Sequence, residues 1–239
     1  MFKPNEKLPG KFSINDGTLD FYLRVRTIID KRKIVLDLGA GKGVWFRNKN
    51  NIELAQTIQY LRPHVKKLYG ADMDPIILKN KSTDENLLIK NNIIPLKDSS
   101  IDIIICDWVF EHIQYPEIFY KEINRVLKKK GTLCLRTPHK FSYMSLVSNL
   151  LEGSIIKDWL LKKTQPERKK YFRSFYKINT QRKINKIFKK YSNNTFIVKP
   201  DPGYYFNSKI VYILLKIMHN VTPKFFSGVI VGFLKKKSN

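Results

Sequence analysis

The chain has 239 residues, 43% of them apolar, enough to bury one core of ordinary domain size. No window holds 18 consecutive apolar residues, so a membrane-spanning run is not expected. The formal charge of +25 is uneven, since residues 151–239 hold 20 of the 45 basic residues and only 4 of the 20 acidic ones. Such a basic third suits nucleic acid, anionic lipid or a phosphorylated substrate, but lysine outnumbers the arginine that bidentate phosphate contacts favour, so charge alone selects no partner.

In chain order, residues 1–17 lack the apolar stretch and cleavage site of a signal peptide. Residues 17–31 then predict an amphipathic helix with Leu19, Tyr22, Leu23, Ile28 and Ile29 on its apolar face. Residues 33–37 form a short apolar run ending in a glycine loop, as a buried parallel strand does. A helix is expected through residues 44–61, stopped by Arg62-Pro63. Strands are predicted at 66–72 and, more weakly, at 86–90, and the nearly all-apolar 101–107 reads as a central strand. Residues 115–129 place Ile118, Phe119, Ile123, Val126 and Leu127 at helical spacing with Pro116 in the first turn. Gly131 closes that helix before a strand at 132–137. Cys106 and Cys134 sit inside these apolar runs, where buried reduced thiols are expected, and a cytoplasmic protein is the default.

Beyond residue 137 the alternation of strand and helix gives way. Residues 142–191 read as helical and basic, 194–199 as a strand, 208–219 as an amphipathic helix and 226–234 as a last strand. The 208–219 helix carries Ile210, Val211, Ile213, Leu214, Leu215, Ile217 and Met218, with Lys209, Lys216 and Lys224 nearby. That pattern fits a core helix covering a sheet, or a helix lying on an anionic membrane surface.

Gly39, Gly41 and Gly43 follow the first strand, where they let a ligand approach the backbone at the start of a helix. A dinucleotide fingerprint would need glycine where Val44 stands, and a phosphate loop would need a Gly-Lys-Ser/Thr ending. Asp37, two places before the first glycine, suits instead a ligand with positive charge near the loop.

The run VLDLGAGKG resembles the first motif of the class I S-adenosylmethionine-dependent methyltransferases, of the type 11-like bacterial kind. The resemblance continues in order through Tyr69-Gly70-Ala71-Asp72, through NNIIPLKDSSID at 91–102, through DWVFEH at 107–112, and through VLKKKGTLCLRTPH ending at His139. It implies S-adenosyl-L-methionine as cofactor, with Asp37, Gly39, Ala40, Gly41 and Gly43 around its methionine end and Asp72 and Met73 at the ribose. It also implies Asn91 and Asn92 near the adenine, where relatives carry aspartate, and Asp107 and Trp108 at the exit of the fourth strand. Asp74 is expected to start an Asp-Pro turn.

The fold implied is α/β, a Rossmann-like doubly wound, mostly parallel seven-stranded sheet with helices on both faces and a helical substrate-side insertion. A single domain 1–239 is expected, with an N-terminal helical cap (1–32), a cofactor-binding core (33–140), and an insertion with the last strands (141–239). No catalytic triad or metal cluster is expected, because the sulfonium already activates the methyl group and the protein has only to bind, orient and desolvate the nucleophile. His112, His139 and Tyr176 are the candidates for a general base, and Tyr143 and Asn179 for substrate contact. The acceptor expected is a small molecule, a sugar or glycan, or a lipid-linked intermediate. The alternatives are an RNA methyltransferase, prompted by charge, and a non-catalytic S-adenosylmethionine-binding protein; no specific nucleic acid is expected. Peripheral contact with an anionic membrane is a further expectation from the 208–219 helix.

Overall fold

The computed structural model describes residues 2–43, 53–152, 154 and 172–238. Seven strands form one sheet: β1 (Ile34–Leu38), β2 (Lys67–Asp72), β3 (Glu85–Leu88), β4 (Ile101–Asp107), β5 (Leu127–Pro138), β6 (Tyr191–Val198) and β7 (Val229–Lys236). Their order is β3-β2-β1-β4-β5-β7-β6, parallel throughout except that β7 runs antiparallel to both of its neighbours. The helices are α1 (Gly17–Arg26), α2 (Glu53–Gln59), α3 (Pro116–Val126), α4 (Tyr143–Leu150), α5 (Gln181–Ile187), α6 (Lys209–Val221) and α7 (Lys224–Ser227).

Two apolar cores cover the two faces of the sheet. One packs Leu36, Ile104, Leu133 and Ile230 against Phe110, Ile123 and Phe188. The other packs Val35, Ile105, Cys134 and Val231 against Phe21, Tyr22 and Val25 of α1 and Ile58 of α2. Adjacent residues of one strand therefore serve opposite cores, which is why the centres of these strands, such as Ile103–Cys106 of β4 and Leu133–Leu135 of β5, are continuously apolar. Cys106 and Cys134 are free, buried thiols.

Several elements differ from expectation. The buried face of α1 is Leu19, Phe21, Tyr22 and Val25, while Leu23 and Ile28 are exposed, so the apolar stripe is rotated from the one the spacing suggested. In the expected helix 44–61, only α2 falls within the described residues. Helix α3 ends at Val126, because Leu127 leaves helical geometry and pairs with Ile101 as the start of β5. The expected helical stretch 142–191 contains α4 and α5, with an irregular segment at 172–180; part of the stretch lies outside the described residues. The last strand starts at Val229, and the residues ahead of it form the short α7. Among the described residues no helix is long and apolar enough to cross a membrane.

Candidate functional site

Strands β1, β2 and β4 are neighbours and parallel, so Asp37, Asp72 and Asp107 are carried to one edge of the sheet. Ligands of open α/β sheets bind at that carboxyl edge. Between the strands stands the glycine loop, tied to β2 where Gly39 N–H donates to the Ala71 carbonyl at 2.7 Å. Gly39 (φ 79°) and Gly43 (φ 64°) are both left-handed. A Cβ at Gly39 would meet Val109 Cγ2 at 2.6 Å, and one at Gly43 would meet Asn80 Oδ1 at 2.0 Å. Glycine is required at both by backbone and by space.

Asn80, buried and absent from the sequence reading, closes the loop from the far side. Its Nδ2 donates to the Gly41 carbonyl at 3.1 Å, and its Oδ1 accepts from Ser82 N–H at 2.8 Å. Asp72 braces the loop as well: Oδ2 accepts from Gly41 N–H at 3.0 Å and Oδ1 from Asp74 N–H at 2.8 Å. Asp74 caps the Pro75–Lys79 turn, accepting from Ile76 N–H at 2.9 Å, which is the turn role its Asp-Pro pair suggested.

The three carboxylates are not equivalent. Asp107 is claimed by Arg136, whose Nε and Nη2 donate to its two oxygens at 2.7 and 2.8 Å, and by the Tyr22 hydroxyl at 3.2 Å. Arg136 is itself buried and reaches Thr18 Oγ1 at 3.0 Å, so the pair fastens α1 to β4 and β5. Asp107, expected as a cofactor contact, is thus also half of a structural clamp. The visible signal was a lone arginine inside an apolar strand, unused in the sequence reading. Asp37 has no ion pair among the described residues. Burial, and then the neighbouring Asp107 and Asp72 carboxylates, push its carboxyl up to about 8. A half-buried acid with no cation beside it among the described residues suits a positively charged ligand.

Around these groups, Ala40 is buried in the loop, and Met73 is 60% exposed just past β2. Trp108 sits at φ 57° and is 40% exposed, its ring 5.6 Å from the Arg136 guanidinium, and its backbone N–H donates to the Arg136 carbonyl. Asn91 and Asn92 are exposed and both left-handed, at φ 53° and 60°, in a turn that bridges Lys90 to Ile93. Asparagine tolerates the left-handed conformation that such a turn requires.

The base candidates are drawn into structural bonds. His112 Nδ1 donates to the Arg173 carbonyl at 2.9 Å. Beside it, Glu111 is buried, takes the Thr137 hydroxyl at 2.9 Å, and offers its carbonyl to the N–H groups of Phe175 and Tyr176. Tyr176 is buried at φ 47°. Asn179, fully buried, donates to Thr137 Oγ1 at 2.6 Å and to the Pro138 carbonyl at 3.2 Å. Together these pin segment 172–180 to the end of β5. His139 Nδ1 accepts from Phe141 N–H at 3.2 Å; burial lowers its pKa, a backbone bond to Phe225 acting against that. Tyr143 shares its hydroxyl with His219 Nε2 at 3.4 Å, and burial pushes it up to about 12. Among the described residues the arrangement offers a ligand cradle in which Asp37 and Asp72 have no ion pair and no exposed base stands beside them.

Residues 36–135 match the family model described as a methyltransferase domain. A methyltransferase-like protein of Schizosaccharomyces pombe is 31% identical over 112 residues, covering 45% of this chain and 39% of that protein. A protein of Methanocaldococcus jannaschii is 30% identical over 112 residues, covering 46% and 42%. The chain thus spans about four tenths of the length of these curated relatives. Among solved structures, the YcgJ protein of Bacillus subtilis aligns at TM-score 0.55 and 15% identity, covering 93% of this chain and 99% of that one. A Haloferax volcanii methyltransferase, solved in complex with the Trm112 activator, aligns at 0.58 and 15%, covering 93% and 90%. A SAM-dependent methyltransferase of Methanosarcina mazei aligns at 0.56 and 15%, covering 90% and 98%. At such identities these structures speak for the fold.

Proposed function

We propose, for a chain whose residues 36–135 belong to the methyltransferase-domain family, that it transfers a methyl group from S-adenosylmethionine to a small-molecule, sugar or lipid-linked acceptor. The observation that carries this reading is the half-buried Asp37, without an ion pair among the described residues, beside a glycine cradle whose backbone admits no side chain at Gly39 or Gly43. That site fits a cationic ligand with an extended, hydroxyl-bearing body. The cofactor supplies an electrophilic methyl on a sulfonium. Asp37 would hold the positive charge, Asp72 would accept from the ribose hydroxyls, and Gly41 N–H, already aligned by Asp72, would keep the loop in register. Met73, Asn91, Asn92 and the Trp108 indole would line the remainder, and Ala40 would let the loop pass close to the ligand. His112, His139 and Tyr176 would serve by shaping the acceptor side rather than by moving a proton.

The experiment is calorimetric titration with S-adenosylmethionine and S-adenosylhomocysteine, paired with melting curves. A ligand at a hundredfold excess over Kd stabilises the native state by about 2.7 kcal/mol, so a rise in Tm is expected with both. Absence of heat and of any shift with either compound refutes the reading.

A further inference from the structure

Helix α6 is turned inside out for a helix on a water-exposed surface. Ile210, Ile213, Leu214, Ile217 and Val221 are between 46% and 77% exposed. They fall within about 100° of arc at 3.6 residues per turn. The opposite face packs inward through the buried His219, whose Nδ1 donates to the Pro200 carbonyl at 3.1 Å and whose Nε2 meets the Tyr143 hydroxyl. Helix α4, joined to α6 through that Tyr143–His219 contact, exposes Leu146, Val147 and Leu150, and Phe141 and Phe225 are nearly half exposed beside it. Scattered exposed aliphatics are ordinary; two neighbouring helices that each present an apolar face are not.

The charge around this surface is mostly positive. Lys199, Lys209, Lys216 and Lys224 lie on or beside α6 and α7, against Asp201 there and Glu152 just past α4. Asp201 is already paired with Lys216 at 2.7 Å. Lys209 and Lys224 are exposed at the start of α6 and on α7. A second copy of the same chain would bring like charge against like charge. An anionic bilayer surface matches both features, since apolar side chains enter the acyl boundary while lysines meet the head groups.

The surface also lies where the chemistry is. Val229, at the start of β7, pairs with Pro138 at the end of β5 and with Val198 at the end of β6. Helices α4, α6 and α7 therefore all hang from the carboxyl edge of the sheet, the edge that carries Asp37 and Asp72. We infer that α6, with α4 beside it, docks this protein on anionic phospholipid bilayers, with the methyl-acceptor side turned toward the lipid. The docking stands on exposure and charge; only the placing of the acceptor at the bilayer rests on the methyltransferase reading.

The test is flotation of the purified full chain with vesicles of phosphatidylcholine alone and of phosphatidylcholine with a quarter phosphatidylglycerol, alongside light scattering without lipid. Expected is a monomer that floats with the anionic vesicles, less so at high salt, and little with neutral ones. Because the side chains are exposed, Leu214→Glu and Ile217→Glu should fold normally, keep the S-adenosylhomocysteine heat, and each weaken vesicle binding about tenfold. Lack of flotation at low salt overturns the inference. Flotation indifferent to both substitutions overturns it too, as mere lysine adsorption. A dimer that Leu214→Glu splits makes the face a self-interface. Vesicle binding retained by a protein that takes up no S-adenosylhomocysteine upholds the docking surface and sinks the methyltransferase reading.

Discussion

Replacing Asp37 with Asn tests whether a missing cation defines the site. In the folded protein the carboxyl is pushed up to about 8, whereas the unfolded chain titrates near 3.9. Between those values the native state holds a proton that the unfolded state has lost. Stability therefore falls as pH rises through that window, by at most about 1.4 kcal/mol per pH unit, and levels off above pH ~8. Asn carries no proton to lose, and every other titrating group is common to both proteins. The difference in stability between variant and parent isolates this one group. Part of the side chain meets solvent, so the gap gained between pH 5.5 and 7.5 should be about 1–3 kcal/mol, or roughly 2–10 °C in Tm for a chain of this size. Asp37→Asn should thus melt higher than the parent at pH 7.5, by less at pH 5.5, and close to it only near pH ~4. Its affinity for S-adenosylmethionine should move the other way, about tenfold or more weaker. In the parent, the cationic ligand should release a proton on binding below pH ~8, with affinity climbing as pH rises, while the variant should lack that climb. Calorimetry in buffers of different ionisation enthalpy reads the proton directly. A Tm gap that stays constant across pH, together with unchanged affinity in the variant, would falsify the assignment of Asp37 as a carboxyl that ionises to hold a cation.

Two further outcomes follow from the same geometry. Asp72→Ala should weaken S-adenosylhomocysteine binding about tenfold to a hundredfold, since it removes a charged acceptor and frees Gly41 N–H, while Asp74→Ala, which loses only a turn cap, should lower Tm slightly and leave titrations nearly unchanged. The reverse ranking would shift the ribose contact by two residues. Arg136→Met leaves Asp107 buried without its partner and should cost about 3–5 kcal/mol in chemical denaturation; a loss below 1 kcal/mol would show that the clamp on α1 is unimportant.

Much of this protein was legible in its sequence because the relevant forces act over a few residues. The glycine run after an apolar strand announced a ligand loop, and left-handed φ at Gly39, Gly41 and Gly43 is what that run provides. The Asp74-Pro75 turn and the apolar continuity of 101–107 follow equally from local backbone chemistry and burial on both faces. What tertiary structure alone decided involves partners far apart in the chain. Folding sets Arg136, 29 residues on, against Asp107, and Asn80 closes a loop 39 residues away. The raised pKa of Asp37 comes first from its burial in the fold and then from the Asp107 and Asp72 carboxylates that neighbouring strands bring to the same edge. The spacing of α6 marked it as amphipathic, but periodicity carries no sign. Only the packing of His219 inward, against Pro200 and Tyr143, turned its aliphatic face toward solvent.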